Sequence, residues 1–205
     1  MIHLYAFVAG LDAKPEPPLD VVDVGGLAAV VGPVGTSPPE PLRHGLVVEE
    51  LRASAEAILP ARYGEDFLDL DALRRAVEPV AGVLRSRLER LGGLVEVGVR
   101  VVARDDEQPD GRPRDGRAYL ESRYAPYARR KALERNLHAH LLERARDARL
   151  ATPREDAVLL DASYLVPTGD VESFARDVAA SAAAWPELAT VCTGPWAPYS
   201  FSEEG

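Results

Sequence analysis

The first part of the chain has the closely spaced apolar residues that are typical of β-strands. Residues 2–9 predict a strand in which Ile2, Leu4, Ala6 and Val8 face one side and Tyr5 and Phe7 the other, so that both faces are at least partly covered. Residues 21–23 and 27–31 predict two further strands, and the glycine pair between them is a hairpin signal. The chain therefore begins with β structure.

Two apolar stripes predict two helices in the middle of the first half, and in the second stripe the apolar residues are spaced three or four apart throughout. Pro41 suits the first turn of a helix, and residues 59–64 break its pattern and predict a short edge strand. Asp69 or Asp71 can cap the next helix, in which Pro79 predicts a kink or a late start. Gly92-Gly93 should end it. The apolar stripe of the first helix is Leu42, Leu46, Leu51, Ala55 and Ile58, and that of the second is Leu70, Leu73, Val77, Val80, Leu84, Leu88 and Leu91.

The alternation of valines in residues 94–102 predicts a half-buried strand, and a charged stretch rich in proline and glycine follows at residues 105–116. A long helix should follow this linker, with a kink at Pro126. Residues 157–166 predict a strand, Asp170 a helix cap, and residues 188–193 a last strand. The stripe of the long helix is Tyr119, Leu120, Tyr124, Tyr127, Leu133, Leu137, Leu141, Ala145 and Ala148.

The closing stretch, residues 194–201, holds Trp196, Tyr199 and Phe201 in a chain that is only 6% aromatic. Its two prolines exclude a central strand or a helix interior. It predicts the end of an edge strand passing into a rigid extended tail. This tail either packs on its own domain or offers an aromatic docking point to a partner. Packing is favoured, because the largest aromatic side chains are highly buried on average.

Composition narrows the class of protein. The 205 residues suffice for one large or two small domains, and the net charge of −9 argues against nucleic acid as the main partner. No apolar run approaches the roughly 18 residues of a membrane span, and the start lacks a basic n-region, so no signal peptide is expected. One cysteine, Cys192, excludes an internal disulfide framework and fits a reducing cytoplasm.

The residues that could carry chemistry do not form a recognisable set. His138 and His140 are two apart on a predicted helix and cannot share a metal, and His44 is expected to be a surface or capping residue. No nucleophile elbow, Walker loop or dinucleotide fingerprint is present. Cys192, among apolar residues of a predicted strand, is expected to be buried and inert. We therefore expect no catalytic residue, no cofactor and no metal site.

Basic residues cluster on the predicted long helix. They are Arg129, Arg130, Lys131, Arg135, Arg144, Arg146 and Arg149, with acidic residues between them. A solvated helix face with ion pairs along the helix is the favoured interpretation. A docking surface for an acidic partner is the alternative.

Four stretches, in order, resemble the gas vesicle protein GvpL/GvpF family. They are the start at residues 3–8 (HLYAFV), residues 59–64 (LPARYG), residues 116–120 (GRAYL) and the closing residues 194–201 (GPWAPYSF). Together they span nearly the whole chain. Ala197 replaces a frequent proline of the closing signature, and Pro79 interrupts a helix that is usually continuous in the family.

The resemblance implies an α+β protein of two domains. These would be a modified ferredoxin-like domain at residues 1–104, a linker loop at 105–116, and an α+β domain with the long helix at 117–205. It also implies a non-enzymatic accessory or minor structural protein, located at the gas vesicle in the cytoplasm. Such a protein would act in vesicle assembly by binding the main shell protein and other accessory proteins, without a membrane span.

Candidate contacts to these partners are Arg62 and Tyr63 in the second stretch and Trp196, Tyr199 and Phe201 in the last. The alternative is a small-molecule-binding or catalytic ferredoxin-like domain, because such folds host many functions. That alternative would need a deep pocket with convergent polar groups.

Overall fold

The computed structural model of the protein describes residues 1–16, 18–34, 40–103, 115, 117, 120, 124, 128, 131–152, 157–186 and 188–203. They form an α+β structure with two antiparallel sheets, as the sequence predicts. Contacts divide the chain into two compact units, Met1–Val95 with Trp196–Gly205, and Glu96–Pro195. Of the predicted linker, residues 105–116, only Asp115 is described, so the division at this stretch stays a prediction.

The first unit is built on a sheet of five strands with the order β2-β3-β1-β4, in which β5 also pairs with β1. Its elements are β1 (Ile2–Leu11), β2 (Asp20–Val24), β3 (Leu27–Pro33), α1 (Pro41–Ser54), β4 (Ala55–Pro60), β5 (Asp66–Phe67), α2 (Leu70–Val77) and α3 (Ala81–Arg90). The hairpin at Gly25-Gly26 is confirmed, since both glycines have a positive φ and β2 pairs with β3.

Strands β4 and β5 occupy the same edge of β1, because β3 pairs along its other edge. The segment Ala61–Asp66 passes from β4 to β5 along this edge. It is attached at both ends by backbone hydrogen bonds, from Ala61 N–H to Tyr5 O at 2.9 Å and from Leu4 N–H to Glu65 O at 3.0 Å. The residues between these bonds, Arg62–Gly64, interrupt the strand pairing.

Helix α1 begins at Pro41 as predicted, but the predicted apolar stripe is wrong at Leu42 and Leu46. These are 72% and 58% exposed, and the helix buries His44 and Val48 together with Leu51, which the stripe did include. Residues 55–60 form β4, because they pair with β1 rather than continue the helix. The helix carries apolar residues on two faces, and only contact with the sheet selects the buried one.

The second predicted helix follows the expectation at its cap, its interruption and its end, but Val80 of the predicted apolar stripe is 44% exposed. Asp69 caps α2 by accepting a hydrogen bond from Ala72 N–H at 2.8 Å. A 3-10 turn at Glu78–Val80 separates α2 from α3 at Pro79, which confirms the predicted break. Gly93, with φ of +67°, lies in the turn that leads out of α3.

The second unit holds a four-stranded sheet of order β7-β8-β6-β9. Its elements are β6 (Leu94–Ala103), a π-helical turn (Glu134–His138), α4 (Ala139–Leu142), β7 (Asp147–Leu150), β8 (Val158–Pro167), α5 (Val171–Ala182) and β9 (Leu188–Trp196). Valines of β6 pack with Leu133, Leu137 and Leu141 of the helix and with Phe174 and Val178 of α5.

Two predictions in this unit are wrong. The long helix ends at Leu142, and Asp147–Leu150 is a strand because it pairs with β8. Consequently Arg149 does not belong to a basic helix surface, and it pairs with Asp147 instead. Asp170 does not cap α5 through its side chain; its backbone carbonyl accepts from the Ser173 hydroxyl. The predicted kink at Pro126 lies outside the described residues.

Candidate functional site

The polar centre of the first unit joins residues from three parts of the fold. His3 on β1 and Asp66 on β5 are register partners, and partners across a strand pair project their side chains to the same face. His44 approaches this pair from α1. His3 is fully buried and His44 is 3% exposed, which corrects the expectation that His44 is a surface or capping residue.

These side chains form one continuous row of hydrogen bonds. Asp66 Oδ1 lies 2.6 Å from His3 Nδ1, and His3 Nε2 lies 2.7 Å from His44 Nδ1. His44 Nε2 donates to the carbonyl of Ala61 at 3.1 Å. Every ring nitrogen of both histidines is therefore engaged.

Aromatic rings surround the two imidazoles. The ring of Tyr5 meets His3 edge-on with 4.7 Å between centroids and stacks on His44 at 5.4 Å. Tyr63 lies 6.0 Å and Tyr199 6.5 Å from the centroid of His44. These two tyrosines are 45% and 37% exposed, so they contact the buried pair and also face solvent.

Burial shifts the protonation equilibria of this cluster. It lowers the pKa of His44, and the charge of neighbouring His3 lowers it further, against the effect of the hydrogen bond to Ala61. Burial, followed by the nearby Glu49 carboxylate, raises the pKa of Tyr199 to about 12. Burial also raises the pKa of Tyr5. The environment thus favours a neutral His44 and neutral phenols.

The predicted contact residues fall into two groups. Arg62, Tyr63 and Tyr199 are brought together at the surface above His44, with Arg62 70% exposed at its side chain and paired with Glu203. Trp196 is 48% exposed, whereas Phe201 is fully buried. Phe201 cannot contact a partner while the protein is folded.

The closing segment packs on the first unit and not on the carboxy-terminal domain predicted for it from the sequence, and of its three aromatic side chains only Phe201 is buried. Ala197 N–H donates to Glu49 Oε1 at 2.7 Å, and Arg90 donates to the carbonyl of Phe201 at 3.2 Å. The predicted extended tail is wrong at residues 199–201, which form a 3-10 turn instead. This turn directs Phe201 inward and leaves Tyr199 half-exposed.

A cleft of about 790 Å³ opens elsewhere on the first unit, between α1 and the β2-β3 side of the sheet. Leu19, Leu46 and Val47 contribute apolar surface, and Lys14, Arg43, Glu16 and Glu50 contribute charges of both signs. Its lining does not include His44 or Asp66. The histidines therefore do not line the cleft, although Tyr5, which contacts both of them, does.

Metal binding at the histidine row has little geometric support. Two nitrogens that ligate one tetrahedral zinc lie roughly 3.3 Å apart, given metal–nitrogen distances of about 2.0–2.1 Å. The facing nitrogens of His3 and His44 are 2.7 Å apart, which is a hydrogen-bond distance. Within the described ranges, no group of three or more histidine, cysteine or acidic residues is arranged to hold a metal.

Two other candidate residues differ from expectation. Cys192 is exposed on β9 rather than buried, although partial desolvation raises the pKa of its thiol. His138, expected to be solvated, is half-buried and hydrogen-bonded to the hydroxyl of Tyr164 at 2.9 Å. His140 is exposed, as expected.

The histidine row was missed although signals for it exist in the sequence. A strand predicted to be covered on both faces buries His3, and a buried imidazole needs hydrogen-bond partners. His44, Val48 and Leu51 are spaced four and three apart and form a second possible helical stripe, which shares Leu51 with the predicted one. The pairing of His3 with Asp66 joins residues 63 apart in sequence, which no local pattern reveals.

Comparison with known proteins gives consistent results along the whole chain. The sequence profile described as gas vesicle synthesis protein GvpL/GvpF matches residues 1–203. Gas vesicle protein L of Streptomyces sp. (strain CB03234) is 32% identical, and the aligned part covers 91% of this chain and 84% of the relative. Gas vesicle protein F1 of Halobacterium salinarum is 25% identical, and the aligned part covers 97% of this chain and 92% of the relative.

Solved structures share the fold. The crystal structure of the gas vesicle protein GvpF from Anabaena sp. PCC7120 superposes with a TM-score of 0.79 at 15% identity, covering all of this chain and 96% of the other. GvpF from Microcystis aeruginosa gives a TM-score of 0.73 at 15% identity, with 99% of each chain covered.

Proposed function

Since this chain belongs to the gas vesicle synthesis protein GvpL/GvpF family, we propose that it acts in gas vesicle assembly as an accessory or minor structural protein. It would do so by binding the main shell protein and other accessory proteins, at the vesicle and in the cytoplasm. The match of the family profile to residues 1–203 is the observation that carries the proposal. Among the described residues, no helix combines the length and the apolar character that a bilayer crossing requires.

The finer description of the fold belongs to the same proposal. We assign a modified ferredoxin-like arrangement to the amino-terminal domain and a variant of it to the carboxy-terminal α+β domain. The two sheets flanked by helices support this assignment, as does the similarity to two GvpF crystal structures.

The proposed contact surface consists of Arg62, Tyr63 and Tyr199, with Trp196 as a further candidate. Tyrosine, tryptophan and arginine are the residues enriched at interface hot spots. Tyr63 and Tyr199 are already held on one side by the buried His44, so they lose little side-chain freedom on binding. Phe201 supports this surface from inside, because it fixes the turn that carries Tyr199.

We also propose that the protein is not an enzyme. Both buried histidines have their ring nitrogens engaged within the row, so neither presents a free base to a substrate. The 790 Å³ cleft offers charges of both signs on its rim but not the histidines. A ligand-binding or catalytic ferredoxin-like domain therefore has less support than a protein-binding role.

The test is co-purification with the main shell protein when both are expressed together. The double substitution Tyr63→Ala with Tyr199→Ala should weaken the complex at least about tenfold, as expected for loss of two hot-spot residues. The matched control is Leu68→Ala, which removes a 73% exposed apolar side chain at another place in the first unit. Thermal unfolding of all variants separates lost binding from lost folding.

Full retention of the shell protein by a folded double variant would contradict the assignment of the surface. Normal vesicle formation after deletion of the gene would contradict an essential role in assembly. The two outcomes are independent, since another surface could carry the binding.

A further inference from the structure

The buried histidine row holds both ends of one short segment. His44 donates to the carbonyl of Ala61, where the segment begins, and His3 contacts the carboxylate of Asp66, where it ends. Arg62 and Tyr63 lie between these two anchor points. The row therefore adds side-chain links to the backbone hydrogen bonds that attach these residues of the proposed contact surface to the fold.

The positions of the protons follow from the donors and acceptors. A carbonyl oxygen only accepts, so His44 Nε2 carries a hydrogen and donates to Ala61. Burial lowers the pKa of His44, so the ring is neutral and its Nδ1 accepts. His3 Nε2 must then donate to it across 2.7 Å.

The third link needs one more proton. With Nε2 already protonated, a neutral His3 would direct the lone pair of Nδ1 at an ionised carboxylate only 2.6 Å away, which is repulsive. A doubly protonated His3 instead donates to the carboxylate of Asp66 and forms the short bond expected between opposite charges. The three hydrogen bonds need three N–H hydrogens, whereas two neutral imidazoles supply two and an ionised carboxylate supplies none. The row therefore requires one extra proton.

We propose that Asp66, His3 and His44 form a proton-dependent clamp on the segment Ala61–Asp66. With the proton bound, both ends of the segment are held. When the proton leaves, only two protons remain for three links, and one link must open. If His3 keeps its Nε2 hydrogen, the link to Asp66 opens. If it keeps its Nδ1 hydrogen, either His44 changes tautomer and the link to Ala61 opens, or His44 keeps its Nε2 hydrogen and the central link between the two rings opens.

Each opening breaks the row of side chains that joins the two ends of the segment carrying Arg62 and Tyr63, so that these ends are then held mainly by their backbone hydrogen bonds to Tyr5 and Leu4. Loss of the proton therefore loosens the proposed contact surface, whichever tautomer results. The clamp itself does not depend on what binds there. Its link to assembly rests on the proposed function.

The other ionisable groups facing the row are Tyr5 on β1, Arg43 and Glu49 on α1, Tyr63 in the segment and Tyr199 after β9. Burial raises the pKa of Tyr5 and of Tyr199, so both phenols stay neutral well above neutral pH. Glu49 accepts from Ala197 N–H and from Arg52, which engages it outside the row. The excess proton is thus assigned to the link between Asp66 and His3.

The direction of the pH effect follows from proton counts. Above about pH 6.5 an unfolded aspartate is ionised and an unfolded histidine is mostly neutral. The folded chain then holds one proton more than the unfolded chain, so stability falls as the pH rises. One proton corresponds to a change of at most about tenfold in the unfolding equilibrium constant per pH unit.

The decisive variant is Asp66→Asn, which is nearly isosteric. The side-chain amide that this substitution introduces can donate to Nδ1 of a neutral His3, so that all three links form without an excess proton. The ratio of the unfolding constants of wild type and D66N should therefore rise between pH 6.5 and 8.5, by up to about tenfold per unit. The control Asp71→Asn removes an exposed carboxylate of the same unit that pairs with Arg74, and its ratio should stay constant.

A ratio for D66N that does not change with pH would overturn the clamp.

A second measurement needs no variant: ¹⁵N spectra of the wild-type histidine rings should show both nitrogens of His3 protonated at pH 7.5. Exposed His140 provides the reference for a solvated ring. A singly protonated His3 at that pH would refute the proposal even if D66N failed to fold. Amide protection at Glu65 and Asp66 should fall as the His3 proton is lost; unchanged protection would refute the loosening of the segment.

Discussion

The substitution Phe201→Ala tests whether the closing segment is a structural part of the first unit. Phe201 is fully buried, and Arg90 donates to its backbone carbonyl. Transfer of the ring to water costs about 1.5–3 kcal/mol, and the cavity left behind adds to this. The expected loss is therefore about 3–5 kcal/mol, a large fraction of the stability of a typical domain.

The assay is urea unfolding of the whole chain, followed by the fluorescence of Trp196, the residue with which β9 ends and the closing segment of the first unit begins. Trp185 lies in the second unit and Trp196 in the first, so Trp185→Phe leaves Trp196 as the single fluorescent tryptophan. In this background Phe201→Ala should strongly lower the urea concentration at the midpoint of unfolding. The comparison variant Tyr199→Ala, which truncates a 37% exposed side chain, should shift it much less.

A loss below about 1 kcal/mol for Phe201→Ala would refute the reasoning, because it would mean that the segment contributes little to the fold. Equal losses for Phe201→Ala and Tyr199→Ala would refute the distinction between an inner anchor and an outer contact residue.

Of the three remaining predictions, two concern single hydrogen bonds and one concerns the titration of a histidine. Glu49→Ala leaves the N–H of Ala197 without its 2.7 Å acceptor and should cost about 1.5–3 kcal/mol in urea unfolding, and Glu49→Gln, which retains an acceptor, clearly less. Asp69→Ala removes the cap that accepts from Ala72 N–H and should cost about 0.5–2 kcal/mol by the same assay, while equal losses for Asp69→Ala and Asp69→Asn would contradict a capping role. The lowered pKa of His44 means that below its ordinary value of 6.5 the unfolded chain takes up a proton that the folded chain does not. Stability should therefore fall towards acid by up to about 1.4 kcal/mol per pH unit. His44→Gln should lack this contribution when the unfolding midpoint is followed from pH 7 to 5, and an unchanged acid slope would contradict a neutral buried His44.

Local signals predicted much of the fold. The hairpin at Gly25-Gly26, the cap at Asp69 and the helix break at Pro79 depend on backbone preferences of single residues, which act in any context. The alternation of valines in residues 94–102 predicted β6 for a similar reason, because its period of two fits only a strand.

The errors arose where two local structures fit the sequence pattern equally well. Helix α1 carries one stripe with Leu42 and Leu46 and another with His44 and Val48, and only packing on the sheet decides between them. Strand β7 has only four residues, and its pairing with β8 determines its conformation. Long-range contacts that no window of sequence contains settled both cases.

The predicted contact residues stay a prediction, and the buried histidine row beneath them was missed. Arg62, Tyr63 and Tyr199 were identified from the family resemblance, and the structure places them on one surface. The row beneath them needed His3, His44 and Asp66 to converge from three elements. Such convergence is a property of the topology rather than of any local pattern.

The placement of Trp196–Gly205 in the first unit has a consequence for biosynthesis. A ribosome makes the amino-terminal part of this unit first and the entire second unit next, and only then the segment with Phe201. At roughly 5–20 residues per second the interval lasts about 5–20 s. The nascent first unit is thus missing the apolar contact of Phe201 throughout translation of the second unit, and it cannot be completed before the second unit has been synthesised.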